Sequence, residues 1–207
     1  MKRDNQHAIE TLGVLARINH LNQKFEVAKE CYEECISLKE EVFGEQDLSV
    51  GTTLHMLGCL LTEMDDRKRA LEVFKSALKI RKNELGLKNN DTITTIIKIG
   101  GIYLDREAYD AAFRCFDQAL PLTIQANGSV HVNSAVCNQA LGTIHCKEGR
   151  YEKAIPFLEE AFQIQDNTHD VDIRQMSLTC QHLGRALCMT GKHDLAIVHL
   201  TKGKQFN

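Results

Sequence analysis

A single spacing governs this chain: Ala16, Gly58, Gly100, Gly142 and Gly184 follow one another at intervals of 42 residues. The same step carries Leu15, Leu57, Ile99, Leu141 and Leu183, and an unbroken alanine column at Ala28, Ala70, Ala112, Ala154 and Ala196. Three columns in one register define a repeat. A period of this size means stacked supersecondary units, none of which buries its apolar face alone. The core then runs along the array, and function is sought on the surface of a scaffold rather than in a catalytic pocket.

Counting slots from Ile9, Gly51, Ile93, Ala135 and Ser177 gives repeats over 9–50, 51–92, 93–134, 135–176 and 177–207, after a polar lead of residues 1–8. Apolar residues at slots 4, 7, 8 and 11, as in Leu54, Leu57, Gly58 and Leu61, form the stripe of an amphipathic helix. First helices are expected near 9–22, 51–64, 93–106, 135–148 and 177–190. A polar break near slots 13 to 16 separates each from a second helix, whose stripe begins at slot 17 with Phe25, Tyr109 and Tyr151. Slot 24 is large (Tyr32, Phe74, Phe116, Leu158, Leu200) and slot 27 small (Cys35, Ala77, Ala119, Ala161, Gly203), which lets helices approach closely. Gly44, Gly86 and Gly128 at slot 36 are placed for left-handed C-terminal caps, and Asp170 holds that slot in repeat 4. Pro156 falls early in a second helix, whereas Pro121 lies deeper and should bend its helix.

Composition narrows the function classes. Hydrophobic residues make up 43% and aromatics 6%, with no Trp and two Pro, as expected of a helix-rich soluble chain. A net charge of -3 leaves no basic surplus for phosphate backbones, so no nucleic-acid partner is assigned. Apolar runs fall short of the roughly 18 residues of a membrane span, and no secretory core follows Met1, so the chain reads as cytoplasmic with no membrane partner. The eight cysteines lack Cys-x-x-Cys pairs and are expected as free thiols, most of them buried.

Leu-Gly at slots 7 and 8, an aromatic residue at 17, Ala at 20, a large apolar residue at 24 and Ala at 27 together resemble the tetratricopeptide repeat. The 42-residue form is similar to that of kinesin light chains and nephrocystin-like proteins, as in Gly149-Arg150-Tyr151-Glu152-Lys153-Ala154-Ile155-Pro156. Kinesin light chains place His-Pro three residues after the slot-36 glycine. Here His131 matches, with Val132 after it, and Asp47 and Asn89 replace the histidine in two other repeats. The resemblance implies an all-α, right-handed solenoid of five helix-turn-helix repeats that binds protein.

It also implies that slots 2, 5, 9 and 12 of the first helices line a concave groove. From these slots the expected peptide-binding residues are Arg17, His55, Thr94, Ile97, Leu104, Gln139, Thr143, Gln181 and Arg185. Amides and hydroxyls would pair with a ligand backbone, Arg17 and Arg185 would hold carboxylates, and Ile97 and Leu104 would form an apolar patch. The expected partner is therefore a protein or extended peptide, acidic in character.

Catalytic constellations are few. His55, Cys59 and Glu63 at i, i+4 and i+8 share a helix face, but a metal or nucleophile site needs a further converging group that the sequence does not place. Asn138 and His145 interrupt the apolar stripe of repeat 4 and would need partners, solvent or a loosened repeat. No phosphate loop, hydrolase elbow or zincin motif occurs, so no enzyme, cofactor or metal is assigned. The reading is a non-enzymatic scaffold or adaptor. The alternative is a structural or self-associating module, with Leu195 and Val198 facing outward from a last helix that ends at Gln205-Phe206-Asn207.

Overall fold

The computed structural model describes residues 2–167 and 172–204. Asp170 and the stretch Gln205-Phe206-Asn207 lie outside the described residues. Ten helices run in order: α1 (Lys2–Leu21), α2 (Phe25–Phe43), α3 (Leu48–Glu63), α4 (Arg67–Leu85), α5 (Asn90–Asp105), α6 (Tyr109–Asn127), α7 (Val132–Lys147), α8 (Tyr151–Asp166), α9 (Ile173–Met189) and α10 (His193–Lys204). The lead is thus not separate, because residues 2–8 begin α1. The chain divides into two compact units, Met1–Ile102 and Tyr103–Asn207. In the first, α1 packs on α2, α2 on α3 and α3 on α4. In the second, α6 packs on α7, α7 on α8, α8 on α9 and α9 on α10.

First helices after α1 start several residues ahead of the expected slot 1, and capping explains why. The Asp47 carboxylate accepts the Ser49 N–H, Asn89 Oδ1 accepts the Asp91 N–H, His131 Nδ1 accepts the Asn133 N–H, and Asp172 takes those of Arg174 and Gln175. Each side chain satisfies a donor that the first turn leaves unpaired. The residues standing at or beside the kinesin light chain histidine position are therefore N-caps.

The polar break between paired helices is one geometry repeated five times. Slot 15 has positive φ at Gln23, Asp65, Glu107, Gly149 and Gly191. Its N–H bonds a carbonyl three residues back and the next N–H one five residues back, as in Glu107 to Leu104 and Ala108 to Tyr103. That double bond is the Schellman motif, which turns the chain while satisfying orphan carbonyls. At slot 36 the expected left-handed cap is corrected: Gly44, Gly86 and Gly128 combine φ of 95, 78 and 85° with ψ of 152, 172 and 172°. This extended positive-φ region is essentially confined to glycine.

In the second, fourth and fifth repeats the slot-8 glycine meets the slot-24 side chain of its own pair. A Cβ on Gly58 would stand 2.8 Å from the Phe74 ring, and one on Gly142 2.5 Å from Leu158 Cγ. The alanine column is buried in all five repeats, and α6 runs unbroken through Pro121. Slot 7 is buried at Leu57, Ile99, Leu141 and Leu183, but Leu15 is 43% exposed, no second helix preceding α1 among the described residues. Leu183 shows what Leu15 lacks: it packs into a cluster with Ile155 and Leu158 of α8. All eight cysteines are free thiols, but only four of them are buried, not the expected majority.

Candidate functional site

Fewer of the expected groove residues are available than their stripe suggests. In the first unit His55 is only 8% exposed, its ring edge-on to Phe74 and its Nδ1 3.1 Å from Thr95 Oγ1. Thr95 donates to the Asp91 carbonyl at 2.7 Å, and its oxygen accepts from the Arg81 guanidinium at 2.9 Å. With its single hydrogen committed, the hydroxyl takes His55 as a donor, which fixes the neutral Nδ1–H tautomer. Burial, followed by the positive charges of Arg81 and Lys98, brings the His55 pKa down to about 4. His55 is therefore corrected from groove lining to a member of a buried polar network.

Arg81 is the network's other centre and carried no sequence signal. It is 4% exposed and also donates to the Asp91 carbonyl at 2.9 Å. Burial lowers its pKa, and Asp91 opposes that shift. Ile97 is buried, and Thr94 is half-buried on α5. Cys59 is half-buried and Glu63 pairs with His20 at 3.1 Å, so the His55–Cys59–Glu63 face is dispersed. Among the described residues no three His, Cys, Asp or Glu side chains are placed to hold a metal ion.

In the second unit Gln139 and Thr143 are buried. Gln139 Nε2 donates to the Gln175 carbonyl at 3.1 Å, because the start of α9 lies against α7. Both are corrected from groove lining to packing. Gln181 and Arg185 are exposed on α9, and Leu104 is half-buried. Asn138 and His145 are both buried: His145 sits between the Phe113 and Phe157 rings, and burial leads the causes that lower its pKa.

What the first unit does offer is a cleft between α1 and α3. Two cavities, of about 390 and 310 Å³, share Arg17, Tyr32 and Met56 in their walls. The larger adds His20, Leu21 and Glu63, and the smaller adds Glu10, Gly13 and Lys39. Arg17, Glu10 and Gly13 were legible as one helix face. Tyr32 and Met56 were not, since slot 24 reads as packing and slot 6 belongs to neither the apolar nor the groove stripe. Lys39 is committed, donating to the Ser49 carbonyl at 3.1 Å and to Thr53 Oγ1 at 2.8 Å. Arg17 is exposed and makes no ion pair with a described residue.

Helix pairs joined by identical Schellman turns, with caps recurring between pairs, define an all-α helical-repeat protein. The family profile described as tetratricopeptide repeat matches residues 7–83, 91–167 and 141–204. The chain belongs to the tetratricopeptide repeat family. No curated protein matches its sequence. Among solved structures, BtubC (BKLC) from P. vanneervenii is similar at 21% identity, with a TM-score of 0.82 over 96% of this chain and 79% of that one. A putative kinesin light chain from Podosopora anserina with nearly identical TPR-like repeats gives 17% and 0.75, covering 96% and 94%. The apo form of RapI gives 16% and 0.83, covering 96% and 69%. These likenesses establish the fold, which is that of kinesin light chain-like repeats. Tetratricopeptide repeats generally mediate protein–protein interaction as non-enzymatic scaffolds, and no described helix is long and apolar enough to cross a membrane.

Proposed function

We propose that this protein is a cytoplasmic adaptor that receives an extended segment of a partner protein, with its primary docking point in the cleft between α1 and α3. The supporting observation is that cleft itself: cavities of about 390 and 310 Å³ that share Arg17, which makes no ion pair with a described residue. A channel of this size accepts alternate side chains of an extended peptide, while Met56, Leu21 and Val14 supply apolar wall. In the second unit the exposed pair Gln181 and Arg185 offers a separate polar contact for an acidic segment.

The test is a library of 12-residue peptides displayed against the folded chain, with selected peptides measured by calorimetry. Gly13→Phe projects into the cleft from α1, where an added Cβ meets only Cys35 Sγ at 4.0 Å; with its fold checked by circular dichroism, its affinity should drop at least tenfold. Lys153→Ala on the outer face leaves affinity unchanged. Equal binding by both variants refutes docking in the cleft.

A second reading is self-association, favoured by one observation: Leu195, Ile197 and Val198 on α10 are more than half exposed. Light scattering over a concentration series tests it, and Val198→Glu should abolish any growth in mass.

A further inference from the structure

Each second helix turns slots 18, 22, 25, 29 and 32 away from its buried stripe, and the first two repeats fill them with opposite charges. On α2 they hold Glu26, Glu30, Glu33, Ser37 and Glu40, and on α4 they hold Lys68, Glu72, Lys75, Lys79 and Lys82. Steps of three and four residues keep each set on one helix face. That face lies opposite the buried Ala28, Tyr32 and Cys35 on α2, and opposite Ala70, Phe74 and Ala77 on α4. All ten residues are exposed except Glu33, which is half-buried. The near balance of the whole chain thus hides an acidic strip beside a basic one.

Both helices pack on α3, and they meet in the ion pair of Arg69 with Glu33. Glu26 is taken by Lys29 of its own helix. Glu30 and Glu40 on α2, like Lys68, Lys79 and Lys82 on α4, make no ion pair with a described residue. Charge of both signs is therefore left open on one surface.

That placement selects the partner. A uniformly anionic surface, such as a nucleic acid or an acidic bilayer, is attracted by α4 and repelled by α2, and a cationic surface meets the reverse. Satisfying both requires an acidic and a basic strip at the same separation, in the opposite order. A second copy of the chain has that separation by construction. A two-fold axis lying between α2 and α4 and running along them sets α2 of each copy on α4 of the other, so every favourable contact occurs twice.

We propose that the outer faces of α2 and α4 form an isologous docking surface for a second copy of this chain, the glutamates of α2 meeting the lysines of α4. This surface is separate from the α1–α3 cleft and from the exposed face of α10. Exposed ion pairs are individually weak and screened by salt, so the dimer rests on many at once and belongs to low ionic strength. Glu72 carries the wrong sign for its strip, and Glu72→Lys should tighten the contact.

Analytical ultracentrifugation over a concentration series tests this in a Val198→Glu background, which takes the α10 face out of the measurement. A dimer should form at about 0.01 M salt, where the Debye length is ~30 Å, and its dissociation constant should rise at least tenfold by about 1 M, where that length is ~3 Å. Two double variants, Glu30→Lys with Glu40→Lys and Lys79→Glu with Lys82→Glu, have their folds checked by circular dichroism. Each alone should dimerise at least tenfold more weakly. Mixed in equal amounts, they should pair as tightly as the parent, because each supplies the charge that the other lacks. A monomer at every concentration, a dimer indifferent to salt, or a mixture that stays monomeric overturns the proposal. So does a monomer that binds heparin through Lys79 and Lys82, which would assign α4 to an anionic partner.

Discussion

Three Gly→Ala substitutions in first helices should have three different outcomes, although the chemical change is the same. Alanine is favoured over glycine inside a helix by about 1 kcal/mol, so each begins from a similar gain. At Gly101 an added Cβ meets nothing within 4 Å. The gain survives there, and Gly101→Ala should stabilise by roughly 0.5–1 kcal/mol. At Gly142 the Cβ would lie 2.5 Å from Leu158 Cγ, 2.8 Å from its Cδ2 and 3.3 Å from the Ala154 carbonyl. Leu158 is fully buried and has nowhere to move. Overpacking of this kind costs about 1–3 kcal/mol, which offsets the propensity gain and leaves roughly 0–2 kcal/mol of net destabilisation. At Gly184 the clash is as severe, 2.5 Å to Leu200 Cγ and 2.6 Å to its Cδ2, but Leu200 is 38% exposed and can swing toward solvent. A strained rotamer costs about 0.5–1.5 kcal/mol, so Gly184→Ala should fall within about 0.5 kcal/mol of the parent. Urea denaturation followed by far-ultraviolet circular dichroism measures all three. Adding Leu158→Ala should turn Gly142→Ala from harmful to helpful. Equal losses at Gly142 and Gly184, or no rescue by Leu158→Ala, would show that the fit between slots 8 and 24 does not set the helix spacing.

Tyr32→Phe should stabilise the free protein by about 1–2 kcal/mol, since it removes a buried hydroxyl without a partner; a lower melting temperature would mean that the hydroxyl is already satisfied. His55 is held neutral by burial, with its pKa brought from the ordinary 6.5 to about 4. Because the unfolded chain takes up the proton first, its contribution is complete above pH 6.5 and is lost as pH falls toward 4, by as much as about 3 kcal/mol. Denaturation at a series of pH values should show that slope reduced in His55→Gln, and an unchanged slope would contradict the buried network. At the inter-helix turns Gly149→Ala should cost about 1 kcal/mol, because φ is +73° there, whereas Glu107→Gly should be neutral or stabilising. Thermal melts that reverse this order would remove the turn from the account of the fold.

The interior of each helix pair was legible in the sequence because its contacts are local and repeat. Ala112 and Ala154 hold one slot and are both fully buried, so the 42-residue step exposes the alanine column, the slot-8 and slot-24 residues and the polar break. The turn geometry left a weaker trace. Gly149 and Gly191 mark slot 15, but Gln23, Asp65 and Glu107 hide the positive φ that they share with them. Helix starts were misplaced because a cap is one side chain outside the periodic stripe.

The candidate site was legible only as a stripe. Periodicity places Arg17, His55 and Gln139 on one helical face, and it says nothing of what reaches that face from other repeats. Tertiary structure brings Thr95 to His55 across 40 residues and the Gln175 carbonyl to Gln139 across 36, burying both. Between α1 and α3, Arg17 stays exposed in the wall of a cleft that it shares with the buried Tyr32 and with Met56. The sequence by itself determined the repeat, its helix pairs and its family, since these follow from residue size at fixed spacing. Which groove residues became core and which remained available was decided only by the fold, because long-range partners are set by side-chain reach between repeats, and reach is not periodic.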